Sequence, residues 1–240
     1  MAYSERKKTH KKGSFVLYTP DYFKIEDSAE LFGLMRQNSF ATLITAASSL
    51  TATHLPFHVD DSLGALGTLT AHMAKANPQW EEFSTDDEAL VIFQGPHAYV
   101  SPSMYASANM VPTWNYAVVH AYGRPEIVSE NELLEILKVA VTDYETGREC
   151  PWAMETLSDD FISKLSRAIV GFKIEITRIE GKYKMSQNRS KTDQLSVIEG
   201  LQQAGGAPEN DVAQWMLKNV SLKPSSNGKF PPLPAGEASE

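Results

Sequence analysis

The sequence predicts an α+β fold in which helices flank an antiparallel β-barrel or curled sheet. Short β-rich runs follow one another across short turns, which favours antiparallel pairing. No strand–helix–strand alternation occurs, which speaks against a doubly wound parallel sheet. Helical periodicity is confined to one segment near the start and to the second half, around one last strand.

The elements follow in order. Leu31, Leu34 and Met35 fall on one face of a helix over 28–38, and Asp27 or Ser28 can cap it. Strands are predicted over 40–46, 51–59 and 66–73, with turns at Ser48-Ser49 and at 60–64. Asn77-Pro78 marks the start of a short helix over 76–83. Residues 89–93 form a continuous apolar run, as expected of a strand buried on both faces. Residues 98–101 and 115–128 add strand, the latter broken near Gly123-Arg124-Pro125. An amphipathic helix is predicted over 130–144, with Leu133, Leu137, Val141 and Tyr144 in one stripe. A helix over 159–169 precedes a strictly alternating strand over 171–179, with Phe172, Ile174 and Ile176 on one face. Helices over 191–203 and 210–220 complete the prediction.

Residues 1–13 read as a disordered basic arm, 14–222 as one domain, and the Pro/Gly/Ser-rich stretch 223–240 as a disordered tail. The 240 residues carry 22 basic and 30 acidic side chains, net −8. The arm holds five of the basic residues and one acidic, so the remainder is net −12. A body that acidic does not attract polyphosphate over a broad face, so DNA contact needs a local basic patch, the arm or a partner. A single cysteine, Cys150, excludes an intramolecular disulfide and a cysteine-cluster zinc site. No apolar run reaches the roughly 18 residues of a membrane helix. The first 12 residues lack the apolar core of a signal peptide. The expectation is a cytoplasmic protein that does not enter membranes.

From Ala89 through Gly123, 35 residues contain no Asp, Glu, Lys or Arg but six aromatic residues. They read as a central strand pair with a subunit interface. Part of the segment can also wall an apolar site for a flat ligand. His54 and His58 sit four apart in an apparent strand, about 13 Å from each other, too far to share a metal ion. His72, His97 and His120 read as core or interface histidines, with haem ligation as the alternative. Neither a G-x-S-x-G elbow nor a phosphate-binding glycine loop is found. Lys75 stands where a strand hands over to a helix, a place where backbone N–H groups favour an anion. Lys182, Lys184 and Arg189 form a second basic cluster.

Several of these runs carry a family resemblance. Tyr18-Thr-Pro-Asp-Tyr-Phe23 and Lys184-Met-Ser-Gln-Asn188 are among them, and Ala76-Asn-Pro-Gln-Trp80, the run from Ala89 to Ser103 and Val111-Pro-Thr-Trp-Asn-Tyr116 are the strongest. Over about 17–205 the sequence resembles PaiB-type proteins, FMN-binding negative transcriptional regulators of the flavin-binding split-barrel superfamily. The resemblance implies a split β-barrel, bound FMN and a homodimer with each flavin at the subunit interface. It implies that Thr53, His54, Leu55 and Pro56 run beside the isoalloxazine. His72, Lys75 and Asn77 would serve the phosphate, and Trp114, Asn115 and Tyr116 would lie near the ring. Lys182, Gln187 and Asn188 would contribute from the C-terminal part. The loop 104–110 departs from the family by being shorter and lacking its usual basic residues. Three functions remain: a flavin-binding regulator with weak or indirect DNA contact, an FMN- or F420-dependent oxidoreductase of the pyridoxamine phosphate oxidase/flavin reductase type, and a haem-binding or haem-degrading barrel.

Overall fold

The structure, a computed structural model, describes residues 17–47, 49–84 and 87–222. The predicted arm 1–13, the tail 223–240, the domain's first residues 14–16 and Ser48 of the first turn lie outside the described residues.

The chain runs β1 (Lys24–Ile25), α1 (Ser28–Gln37), β2 (Phe40–Thr45), β3 (Thr51–Pro56), β4 (His58–Asp60), β5 (Thr68–Ala74), β6 (Ala89–Val100), β7 (Thr113–Ile127), α2 (Glu130–Glu145), α3 (Asp159–Ser166), β8 (Ile169–Lys184), α4 (Lys191–Ala204) and α5 (Ala207–Leu222). The strands pair antiparallel in the order β3-β2-β6-β7-β8-β5-β4, and β1 adds to β8. The path is open, but the sheet curls until β3 touches β5. There the Asn77 side-chain amide donates to Thr53 Oγ1 at 2.9 Å.

Alternation builds the core. Leu43, Val91, Phe93, Val119, Phe172 and Ile174 turn inward from neighbouring strands and are fully buried. Helix α1 closes one end of this core with Leu31, Leu34 and Met35, and the Asp27 carboxylate accepts from the N–H groups of Ala29 and Glu30. Leu31 rests against Gly181 of β8, where a Cβ would come within 2.2 Å of its Cδ2. Helices α4 and α5 add Val197, Leu201, Val212 and Met216.

The strands differ in length from the prediction. The strand predicted over 51–59 is two, β3 and β4, because Phe57 turns its ring into the core and gives its N–H to the Ser39 carbonyl at 2.9 Å. The separate strands predicted over 89–93 and 98–101 are one, β6, which bulges at Gly95-Pro96 instead of ending. Along 89–93 only Ala89, Val91 and Phe93 are fully buried; Leu90 and Ile92 face the other way and are half-buried. β7 passes unbroken through Gly123-Arg124-Pro125, because a bulge falls between Tyr122 and Gly123. A Cβ on Gly123 would lie 2.2 Å from the Glu175 carbonyl, so only glycine allows β8 this close. Pro125 lies past the last β6 pair, Ala89 with Gly123, so β7 has an open edge on that side, where proline is tolerated. β8 extends seven positions beyond the alternating stretch, to 169–184, and the helix predicted over 159–169 stops at Ser166. In α2, Leu133 and Ile136 are the buried residues, and Tyr144 is exposed with its hydroxyl 2.8 Å from Ser39 Oγ.

Candidate functional site

The far ends of β7 and β8 pair Tyr116 with Lys184 and Val118 with Lys182. Alternation turns Tyr183 and Met185 into the core, and sends Lys182 and Lys184 to the opposite face beside Tyr116 and Trp114. The N-terminal segment crosses this face with Tyr18, Pro20, Tyr22 and Phe23, and the loops at 105 and 186–189 close it. Together they enclose a cleft of about 490 Å³.

Its electrostatics are one-sided. Lys182, Lys184 and Arg189 line it, and among the described residues no acidic side chain does. The Lys182 ammonium donates to the Tyr18 carbonyl at 2.8 Å and lies 5.4 Å from the ring centres of Tyr18 and Tyr116. Lys184 donates to Thr113 Oγ1 and, at 2.6 Å, to the Trp114 carbonyl. Burial first, then the charges of Lys182 and Arg189, hold the Lys184 ammonium below its usual range. Three cations that repel one another in a cleft without a carboxylate fit an anion. The exposed faces of Trp114, Tyr22 and Tyr18 fit a flat apolar ring.

The structure brings five of the sequence-predicted residues together here: Trp114, Asn115, Tyr116, Lys182 and Asn188. Asn115 forms the floor, because its position in the β7 alternation is the inward one. Its amide donates to Ser186 Oγ at 3.0 Å and to Met216 Sδ at 3.3 Å, and its carbonyl oxygen accepts from Ser186 Oγ at 3.2 Å. Asn115 therefore fixes Ser186, which sits at φ +63°, and with it the loop that presents Asn188 and Arg189. Gln187 is turned back on its own loop, accepting from the Met185 N–H at 2.6 Å and donating to the Tyr183 carbonyl.

The other predicted residues lie elsewhere. Thr53, His54, Leu55 and Pro56 are on the edge strand β3, where Leu55 is buried and His54 stacks with Phe40 at 6.3 Å. His72 pairs with Gly171 at the opposite end of β8 from Lys184 and lies between the sheet and α2; burial holds its imidazole below the usual value. Gly171 and Lys184 are thirteen positions apart, about 40 Å of strand. Lys75 and Asn77 form the corner after β5. Three of its backbone donors are already used, Lys75 N–H on Ala168, Asn77 N–H on Ala74 and Gln79 N–H on Asn77 Oδ1, while Pro78 has none. What the corner offers is the exposed Lys75 ammonium. His97 and His120, the other haem-ligand candidates, also lie outside the cleft.

Tyr18, Tyr22, Thr113, Tyr105 and Ser186 line the cleft and were not among the predicted site residues. Tyr18 and Lys182 meet across 164 positions of sequence, so no local pattern announces that contact. Lys184 and Arg189 had a signal, the basic cluster at 182–189.

The curled antiparallel sheet with flanking helices is a split β-barrel. Two solved structures share that fold at 15–16% identity: the FAD and haem binding protein from Mycobacterium smegmatis (TM-score 0.54, 76% of this chain and 80% of that one) and a flavocytochrome from Azotobacter vinelandii (TM-score 0.51, 68% and 69%). Residues 17–178 match the family described as "Putative FMN-binding domain", and the chain belongs to that family. It is 40% identical over 204 residues to the protease synthase and sporulation protein PAI 2 of Bacillus subtilis, across 83% of this chain and 96% of that protein. An uncharacterized protein of Aspergillus fumigatus is 32% identical across 79% and 92%.

Proposed function

We propose that the chain binds FMN as a homodimer and acts as a flavin-loaded regulator of the PaiB type in the cytoplasm. The cleft, lined by three cations and, among the described residues, by no carboxylate, carries this reading. Lys182, Lys184 and Arg189 would meet the flavin's anionic side chain, and Trp114, Tyr116 and Tyr22 its ring. The flavin would supply reversible hydride and electron transfer. The chain's own residues hold it, orient it and keep water from one face.

The dimer is supported by the sheet's second face. Thr42, Ile92 and His120 lie side by side across β2, β6 and β7, as do Ile44, Leu90 and Tyr122. This half-buried, largely apolar face points away from the core, and Phe40 beside it is 69% exposed. In a dimer the strand Thr53–Pro56 and Lys75 of one copy would face the cleft of the other, so that both sets of predicted residues serve one flavin. Regulation then follows from flavin occupancy setting dimer geometry. DNA contact, given the net −12 body, would be weak or indirect.

The test is an absorbance spectrum of the purified protein, before and after FMN is added and the sample desalted, with gel filtration alongside. A retained flavin band at one FMN per chain on a dimer is expected. A colourless protein that takes up no FMN overturns the flavin reading, and a monomer that retains it overturns the shared site.

A further inference from the structure

Tyr105 follows the 3-10 turn Pro102–Met104 and lines the inner end of the cleft. It is 8% exposed, and its hydroxyl is buried with no hydrogen-bond partner among the described residues. Buried hydroxyls are nearly always paired in a finished fold, so an unpaired one in a cleft marks a donor kept for something else. The Arg189 guanidinium lies 5.8 Å from the centre of the Tyr105 ring, and Lys184 lines the same cleft.

Two loops far apart in sequence make this arrangement, and one residue ties them. Asp193, in the first turn of α4, is 4% exposed. It accepts from the Ser107 N–H at 2.9 Å, from Ser107 Oγ at 3.0 Å and from Ser190 Oγ at 2.8 Å. Those bonds pin the loop carrying Tyr105 to the residue after Arg189.

We propose that Tyr105, Lys184 and Arg189 form an oxyanion subsite, with Asp193 as its positioning residue. The Tyr105 hydroxyl donates one hydrogen bond, and the two cations balance the charge of a phosphate or carboxylate. The oxyanion has two possible sources. It is the phosphate of FMN, in which case the subsite rests on the flavin reading, or it belongs to a separate small anionic ligand, in which case it does not.

The test compares the wild type with Tyr105→Phe and Arg189→Met, using FMN, riboflavin and inorganic phosphate as probes. Tyr105→Phe removes a hydroxyl that holds nothing among the described residues, so its melting temperature should stay level or rise. If the source is the flavin, Tyr105→Phe and Arg189→Met each weaken FMN about ten-fold and leave riboflavin unchanged. If the source is a second ligand, FMN is untouched, and the saturable ³¹P line broadening of inorganic phosphate seen with wild type disappears in both variants. Asp193→Asn should follow the same oxyanion-selective pattern, which a merely structural role would not produce. Tyr105→Phe binding FMN and phosphate like wild type overturns the subsite. So does an equal loss of FMN and riboflavin. A wild type that takes up no FMN but broadens the phosphate line retires the flavin reading and leaves the subsite standing.

Discussion

The two ends of β8 hold cations in opposite ways. At the C-terminal end, Lys182 and Lys184 lie beside aromatic rings, Lys182 held by the Tyr18 carbonyl and Lys184 by Thr113 Oγ1 and the Trp114 carbonyl. At the N-terminal end, across β5, Lys75 stands exposed in a corner where the N–H groups of Lys75, Asn77 and Gln79 are already used. The first end is a built site on one chain. The second offers one exposed charge and a β3 face that, in the proposed dimer, would form half of a site. The family match over residues 17–178 includes Lys75 but stops short of Lys182 and Lys184, and the difference in finish appears only in three dimensions.

The largest effect that could break the comparison comes from mixing variants. Lys184→Met and Lys75→Ala should each lose FMN retention when made alone. In a mixed dimer of the two, one site inherits both lesions and the other none. Refolding them together should therefore restore one flavin per mixed dimer. No recovery would mean that each chain builds its site unaided.

Stability should separate the ends next. Asn115→Ala leaves Ser186 without its partner in a buried site, and should cost about 1–3 kcal/mol in urea unfolding. Asn77→Ala removes a cap to the Gln79 N–H and the link to Thr53, and should cost about 1 kcal/mol. Lys75→Ala, with an exposed side chain, should stay within about 0.5 kcal/mol of wild type. Equal costs for the two asparagines would argue that the cleft floor is no more tightly built than the corner.

A smaller effect is the pH dependence of the cleft. Lys184 titrates below the usual lysine range because of burial and its cationic neighbours. A bound anion favours its charged form, so anion and proton bind together. FMN affinity should fall as pH rises through the folded value of Lys184, and Lys184→Arg should move that fall to higher pH. In the same window, the free protein's stability should rise with pH, because the unfolded chain holds more protons than the folded one. An affinity flat to pH 10.5 would remove Lys184 from the anion's surroundings.

The smallest concerns His72. Burial lowers its folded value, so neutral imidazole is favoured in the fold. Its contribution to stability is whole above the ordinary histidine value and is lost as pH falls below it. Thermal melts from pH 7.5 to 5 should show a shallower acid loss in His72→Gln than in wild type.

Much of the fold was legible because its signals are local. Alternation of Phe172, Ile174 and Ile176, the Asp27 cap and the apolar face of α1 each follow from the geometry of a few adjacent residues. Strand ends were not legible, because Gly95-Pro96 and Gly123 read as breaks until neighbouring strands turn them into bulges. At the site, the run Trp114-Asn115-Tyr116 was visible, but not that alternation sends the rings outward and the amide inward. The basic cluster at 182–189 could be read as charge, not as a cleft. The sequence by itself determined which residue types were present, their periodicity and the family to which they belong. Only the tertiary structure decided that Tyr18 meets Lys182, that Asp193 binds Ser107 and that Tyr105 keeps an unused hydroxyl. Those contacts join segments up to 164 residues apart, and nothing in local propensity encodes a distance that the folded sheet alone makes short.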